Sequence, residues 1–249
     1  MQTQSVALVT GANKGIGQQI ARDLAGHGLT VLVGARDLAM GQVAATNIGA
    51  GAVAIQLDVT DAASIAAAAA RIRAEFGRLD ILINNAGISS APRPAGQVPP
   101  VPAFNALTDV SLDDVRAVFE TNVFGVIAVT QAMLPLLRES PAARIGMLGS
   151  SGGSLALNSD PANDHRLMFG NYSVSKAAVH AVMLSFALAL EGTNIKVNAA
   201  CPGFTATALN GFRGLRSVEQ GAREAVRLAL IGADGPTGTF SDEDGPVAW

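Results

Sequence analysis

In the stretch GNYSVSKAAVH, residues 170–180, the phenol of Tyr172 stands four positions ahead of the ammonium of Lys176, at the start of an alanine-rich segment. Residues at i and i+4 share one face of a helix, so the Lys176 ammonium can sit near the Tyr172 hydroxyl. A phenol titrating near 10 is a poor proton donor or acceptor at neutral pH, and a nearby cation favours the phenolate and lowers that value. The pair is therefore expected to act as a tuned general acid or base. The same spacing also describes an ordinary surface pair, so its meaning depends on what the chain assembles around it.

A second chemical signal is LVTGANKGIGQQI, which places Gly11, Gly15 and Gly17 directly after an apolar run and before a helix-like segment. Residues without a Cβ allow a sharp turn and close approach to a pyrophosphate, whose charge then faces the unpaired N–H groups of a helix N-terminus. The spacing is GxxxGxG rather than GxGxxG, but its strand-to-helix setting is the one dinucleotide binding requires. The next apolar run, VLVGARD, holds Ala35 where an NAD site commonly carries a carboxylate for the ribose 2′-OH, and Arg36 follows. Arg36 and Lys14 are cations suited to a 2′-phosphate. NADPH is the expected cofactor, and the adjacent Asp37 is the feature that argues for NADH.

These side chains need a scaffold, and the pattern supplies one. Short β-branched runs, SVALVT, TVLVGAR and AVAIQLDV, alternate with the longer segments QQIARDLAGHG and GQVAATNIGAG. Such alternation predicts βαβ units and a parallel sheet, and runs that are apolar throughout predict strands covered on both faces. Further strands are expected at LDILINNAG, ARIGMLGS and NIKVNAACPG, with helices at about 61–76, 111–137 and 172–190. The alanine-rich AASIAAAAARIRAEFG reads as an ordinary amphipathic helix, because Ile65, Ile72 and Phe76 fall at helical spacing. The prolines of residues 89–109 exclude a helix or central strand there and predict a surface loop. No repeat and no linker divides the chain, so residues 1–249 read as a single α/β domain of the Rossmann type, a doubly wound parallel sheet flanked by helices.

Composition narrows the partners. With 49% hydrophobic residues the chain can bury a sizeable core, and 17 basic against 20 acidic residues argue against nucleic acid. Cys201 is the only cysteine, which rules out an intrachain disulfide and a cysteine-based zinc site and makes an intracellular compartment the default. His27, His165 and His180 are too scattered to suggest a metal triad. No basic leader precedes an apolar run, and no window reads as a membrane span, so a cytoplasmic protein without a membrane partner is expected.

Taken together, the motifs TGANKGIG (10–17), LDVT (57–60), NNAG (84–87), TNVFG (121–125), GSSGG (149–153), YSVSK (172–176) and NAACPGFTAT (198–207) resemble, in order, those of the short-chain dehydrogenase/reductase family over essentially the whole chain. NKGIG with GARD and the late DGPTGTFSDEDGP is most similar to its carbonyl reductase branch, typically NADPH-dependent. The resemblance implies that Tyr172 exchanges a proton with the substrate oxygen, while Lys176 both tunes Tyr172 and holds the nicotinamide ribose. It implies that Ser150 hydrogen-bonds that oxygen and that Asn122 completes a proton relay through water and lysine. Gly149 stands where the family's serine pair begins, so Ser151 is the alternative to Ser150.

The same resemblance assigns cofactor contacts to Gly11, Asn13, Lys14, Gly15, Ile16, Gly17 and Arg36, and to Asp58 and Val59 at the adenine. Asn85, Ala86 and Gly87 would meet the adenine ribose and neighbouring backbone; Pro202, Gly203, Thr205 and Thr207 would border the nicotinamide and diphosphate. Two insertions, residues 89–109 and LALNSDPANDHRLMFGN before Tyr172, frame the expected substrate cleft. Leu155, Leu157, Leu167, Met168, Phe169, Phe204 and Leu209 suggest an apolar pocket for a small hydrophobic ketone or aldehyde. An oxidative NAD(P)-linked alcohol dehydrogenase and a non-catalytic NADP-binding sensor are the competing readings. The oligomeric state, monomer or homo-oligomer, stays open at this stage.

Overall fold

The structure, a computed structural model, describes residues 4–49, 51–91 and 106–249. The elements run β1 (Val6–Val9), α1 (Gly15–Gly26), β2 (Thr30–Ala35), α2 (Leu38–Ile48), β3 (Ala52–Gln56), α3 (Ala62–Phe76), β4 (Ile81–Asn84), α4 (Leu112–Phe119) and α5 (Gly125–Leu137). Then come β5 (Arg144–Leu148), α6 (Leu155–Ser159), α7 (Asn171–Ala189), β6 (Lys196–Ala200), α8 (Val218–Ala229), β7 (Phe240–Asp242) and β8 (Gly245–Pro246). Among the described residues the strands form one sheet in the order β3-β2-β1-β4-β5-β6-β7-β8, with β1 to β7 parallel and β8 antiparallel.

Successive residues of a strand point to opposite faces, and the core divides accordingly. Val6 and Leu8 of β1, with Leu82 of β4 and Val197 of β6, pack on the α3, α5 and α7 side with Ile72, Met133 and Met183. Ala7, Val9, Ile81 and Ile83 face the other way and meet Ile20 and Leu24 of α1 and Ala222 and Ala225 of α8. That double coverage is why the strands read as continuous apolar runs rather than alternating ones.

Several helices begin where short polar side chains satisfy their first N–H groups. Asp37 accepts from Ala39 and Met40 N–H at the start of α2, and Asp61 accepts from Ala63 N–H at the start of α3. α3 ends on Gly77 with φ of 74°, the left-handed conformation glycine adopts freely. Its buried residues, Ile65, Ala68 and Ile72, confirm an amphipathic helix within the alanine-rich tract. α4 and α5 are one helix interrupted by a π turn at Glu120–Phe124.

Two findings differ from the sequence expectation. The helices Leu112–Leu137 and Asn171–Ala189 are, by length and composition, apolar enough to cross a membrane. Both lay one stripe on the sheet, with Val129 and Met133 on the first and Val179 and Met183 on the second fully inside the core, which accounts for their apolar character. The second difference is that α8, β7 and β8 were not among the elements expected. The strands are only three and two residues long. α8 begins with a reciprocal cap between Ser217 and Gln220 and buries mainly alanine and glycine. Of the proline-rich segment, residues 92–105 lie outside the described residues, so the expected loop is described only at its ends.

A buried carboxylate locks the N-terminal ends of β1 and β4. Asp80 accepts from Val6 N–H at 2.8 Å and Ser140 Oγ at 2.6 Å, and pairs with Arg78 at 3.1 Å. Asp80→Ala is expected to cost about 3 kcal/mol, because it strands buried donors far from the cleft. Urea unfolding checks this, and a loss below about 0.5 kcal/mol would contradict it.

Candidate active site

Strand order reverses between β2-β1 and β4-β5, and a crevice opens where the C-terminal ends of the strands diverge. A cleft of about 1600 Å³ occupies that place. Nearly every candidate residue lies at the end of a strand or on the helix that follows. Gly11, Asn13, Lys14, Gly15, Ile16 and Gly17 follow β1, Arg36 follows β2, and Asp58 and Val59 follow β3; all line the cleft. Asn85, Ala86 and Gly87 line it after β4, Ser150 after β5, and Pro202, Gly203, Thr205 and Thr207 after β6, with Tyr172 and Lys176 on α7.

The glycine turn fits a pyrophosphate. Gly11 and Gly15 have φ of 61° and 59°, in the left-handed region that side chains resist. Lys14, the N-cap of α1, makes no capping hydrogen bond through its side chain, and the first turn carries no acid. The helix therefore presents its unpaired N–H groups and positive dipole end to the cleft. Asn85 braces this turn: its Nδ2 donates to the carbonyls of Thr10 at 2.8 Å and Gly11 at 3.1 Å. The adenine-end cations are available too, since among the described residues neither Lys14 nor Arg36 forms an ion pair. Asp37, the residue favouring NADH, instead caps α2 through its Oδ1.

At the other end of the cleft, α7 packs against β5 and the turn after it. The Lys176 Nζ is buried and donates to Leu148 carbonyl oxygen at 2.6 Å, while lying 5.6 Å from the centre of the Tyr172 ring. Burial lowers the Lys176 pKa to about 8, partly offset by the nearby Cys201. Tyr172 corrects the sequence expectation: burial, with a smaller contribution from Cys201, pushes the phenol above its usual value near 10. The ammonium, drawn to the Leu148 carbonyl, does not offset that desolvation. Tyr172 is consequently held protonated at neutral pH, as a proton donor requires.

Ser150 and Ser151 both border the cleft. The Ser150 Oγ accepts from Gly152 N–H at 3.1 Å; a Cβ placed on Gly152 would lie 3.2 Å from this oxygen and 3.5 Å from Ser173 Oγ. Ser150 Oγ thus lies near Ser173, the residue that follows Tyr172 in the first turn of α7. Ser151 donates its N–H to the Cys201 Sγ at 3.2 Å, and that thiol is buried as a small core group. Asn122 is the candidate that does not line the cleft. It is 1% exposed in the π turn, where its Oδ1 accepts from Ile88 N–H and its Nδ2 donates to Ile88 O and Ser175 Oγ. It ties the β4 exit to α7 from behind, and it caps no helix. The Thr205 hydroxyl also turns inward, donating to Pro202 O at 2.9 Å.

The insertion before Tyr172 folds onto the serine turn through Asn158, whose Nδ2 donates to the carbonyls of Ser151, Gly152 and Ser154. Leu157, Met168, Phe204 and Leu209 form an apolar wall as expected, joined by Phe212 and Leu215, which the sequence reading missed. Leu155, Leu167 and Phe169 do not line the cleft, and Leu155 and Leu167 face solvent at 62% and 82% exposure. No metal-binding cluster of His, Cys, Asp and Glu exists among the described residues. His180 was also missed; the available signal was its position four residues after Lys176 on the same helical face.

Comparison with known proteins gives this geometry a family. The short chain dehydrogenase pattern matches residues 5–215. A short-chain dehydrogenase of Penicillium roqueforti is 39% identical over 93% of this chain and 90% of its own length. The (-)-isopiperitenone reductase of Mentha piperita is 32% identical over 99% of both chains. The solved structure of salutaridine reductase from Papaver somniferum superposes with a TM-score of 0.81 at 29% identity, covering 95% of this chain and 99% of that one.

Tyr172 is the only tyrosine in the chain, so phenolate absorbance reports its ionisation alone. The midpoint in the free folded protein is expected above 10, with circular dichroism confirming that the fold persists. A midpoint below 10 would contradict a half-buried phenol whose desolvation is uncompensated.

Proposed function

The chain belongs to the short-chain dehydrogenase family, and from that premise we propose that this oxidoreductase is an NADPH-dependent carbonyl reductase of the cytoplasm, acting on hydrophobic ketones or aldehydes. The observation that carries the reading is the Tyr172 phenol with the Lys176 ammonium 5.6 Å from its ring, set in the same cleft as an uncapped, glycine-lined helix N-terminus.

The residues divide the work by position. A reduced nicotinamide cofactor, its pyrophosphate seated on the glycine turn and its ring beside Pro202 and Gly203, would supply hydride to the carbonyl carbon. Ser150 Oγ donates a hydrogen bond to the carbonyl oxygen and stabilises the charge that develops there. Tyr172 gives that oxygen its proton. Lys176, buried and held on Leu148 O, would meet the ribose hydroxyls with its ammonium. Asn122 acts from behind the wall, holding the β4 exit against α7. Arg36 and Lys14 neutralise the 2′-phosphate, and the absence of an acid at Ala35 removes the group that would repel it.

The apolar wall supports an uncharged, hydrophobic substrate. The names of two relatives, isopiperitenone reductase and salutaridine reductase, point in the same direction. The oxidative reading runs the same proton transfer in reverse, and Ala35, Arg36 and Lys14, which suit NADPH, weigh against it.

Tyr172→Phe is expected to retain NADPH binding while turnover falls by about 100-fold or more; steady-state kinetics with a cofactor titration check this, and near-normal turnover would refute the assigned acid. The pH profile gives an independent test. Lys176 loses its charge as pH rises through about 8, while Tyr172 stays protonated beyond that. The reductive kcat/KM should therefore fall on the alkaline side of about 8, and a profile flat to pH 10 would contradict the role given to the ammonium.

A further inference from the structure

Resting on the reductase reading above, we propose that His180 is a positioning residue for the serine that meets the substrate oxygen, and that residue 149 is glycine because the imidazole occupies the space a side chain there would need. His180 lies on α7, one turn beyond Lys176, and is 3% exposed. The Ser150 N–H donates to its Nε2 at 3.3 Å. A Cβ built on Gly149 would come within 2.6 Å of that nitrogen and 3.0 Å of the Phe240 ring. Phe240, arriving on β7, backs the imidazole with ring centres 4.1 Å apart.

The consequence for Ser150 follows from covalent geometry. Gly149 N–H makes the last ladder bond of this strand exit, to Ala200 O at 2.9 Å. One residue on, the backbone has left the sheet, and the Ser150 N–H needs another acceptor. The imidazole supplies it. With the N–H anchored to Nε2 and the Oγ to Gly152 N–H, Ser150 is held at both ends and its hydroxyl has a fixed place on the cleft wall. A family serine pair has a hydroxymethyl group at the position of Gly149; here the larger ring enters from α7 instead.

The arrangement requires a neutral imidazole with its proton on Nδ1, leaving Nε2 as acceptor. Burial, and then the charge of Lys176, holds His180 neutral by lowering its pKa to about 4. The geometry thus links the general-acid helix directly to the serine, through α7 to β5.

Two substitutions separate positioning from simple filling. His180→Gln carries an acceptor oxygen as many bonds from Cβ as Nε2, whereas His180→Leu fills the volume without one. The Gln variant should keep kcat within about threefold of wild type; the Leu variant should lose about tenfold or more in kcat with the KM for NADPH within about twofold. Equal kcat for the two variants would overturn the proposal. Gly149→Ala should by itself reduce kcat strongly, and adding His180→Ala should recover part of that loss; strictly additive losses would also overturn it. Nitrogen NMR of the labelled imidazole gives a readout independent of turnover: the Nδ1–H tautomer supports the proposal and the Nε2–H tautomer refutes it. A wild-type protein that reduces no carbonyl defeats the reductase reading, and the tautomer then still decides the place of His180.

Discussion

A parallel sheet covered on both faces sends the C-terminal end of every strand to one edge, and reversing the strand order at β1 and β4 opens that edge into a crevice. The rest of the molecule follows from this constraint. Glycine is needed after β1 because Gly11 passes close to the Ala86 backbone leaving β4, where a Cβ would approach to 3.0 Å. Side chains far apart in sequence, from Lys14 to Thr207, converge without any one loop having to carry the whole site.

Convergence brings polar groups into a dry place, and the structure compensates through the backbone of β5. Leu148 accepts from the Lys176 ammonium and Ser150 donates to His180, so two successive turns of α7 attach to one strand exit. A buried ammonium with a carbonyl partner is less costly than an unpaired one but is still easier to deprotonate than in water. The phenol beside it has no such partner among the described residues, and desolvation raises its pKa. The different environments of two neighbouring groups thus set their protonation states near neutral pH.

Much of this was legible because it depends on local rules. Apolar runs between turn residues located six strands, and the glycine spacing located the crevice. What escaped depends on tertiary context. β7 and β8 are too short to show a pattern, and they exist because β6 offers an edge. α8 was legible and was passed over: Ala222, Ala225, Val226, Leu228 and Ala229 fall on one buried face, and Ser217 with Gln220 marks its start. The direction of the Tyr172 shift could not be read from an i, i+4 spacing, because spacing does not say that the ammonium turns to Leu148. His180 drew notice only as one of three scattered histidines for the same reason: its partner, Ser150 N–H, is thirty positions away in sequence.

The central claim is that this cleft uses NADPH to reduce a hydrophobic carbonyl compound. It is tested most directly by following the loss of reduced-nicotinamide absorbance with NADPH and, separately, NADH, against a panel of hydrophobic aldehydes, aryl ketones and keto esters. The account predicts turnover with NADPH at a kcat/KM about tenfold or more above that with NADH, the margin expected of charge-assisted contacts from Arg36 and Lys14. Tight NADPH binding without turnover of any carbonyl in the panel, or a preference for NADH, would contradict it.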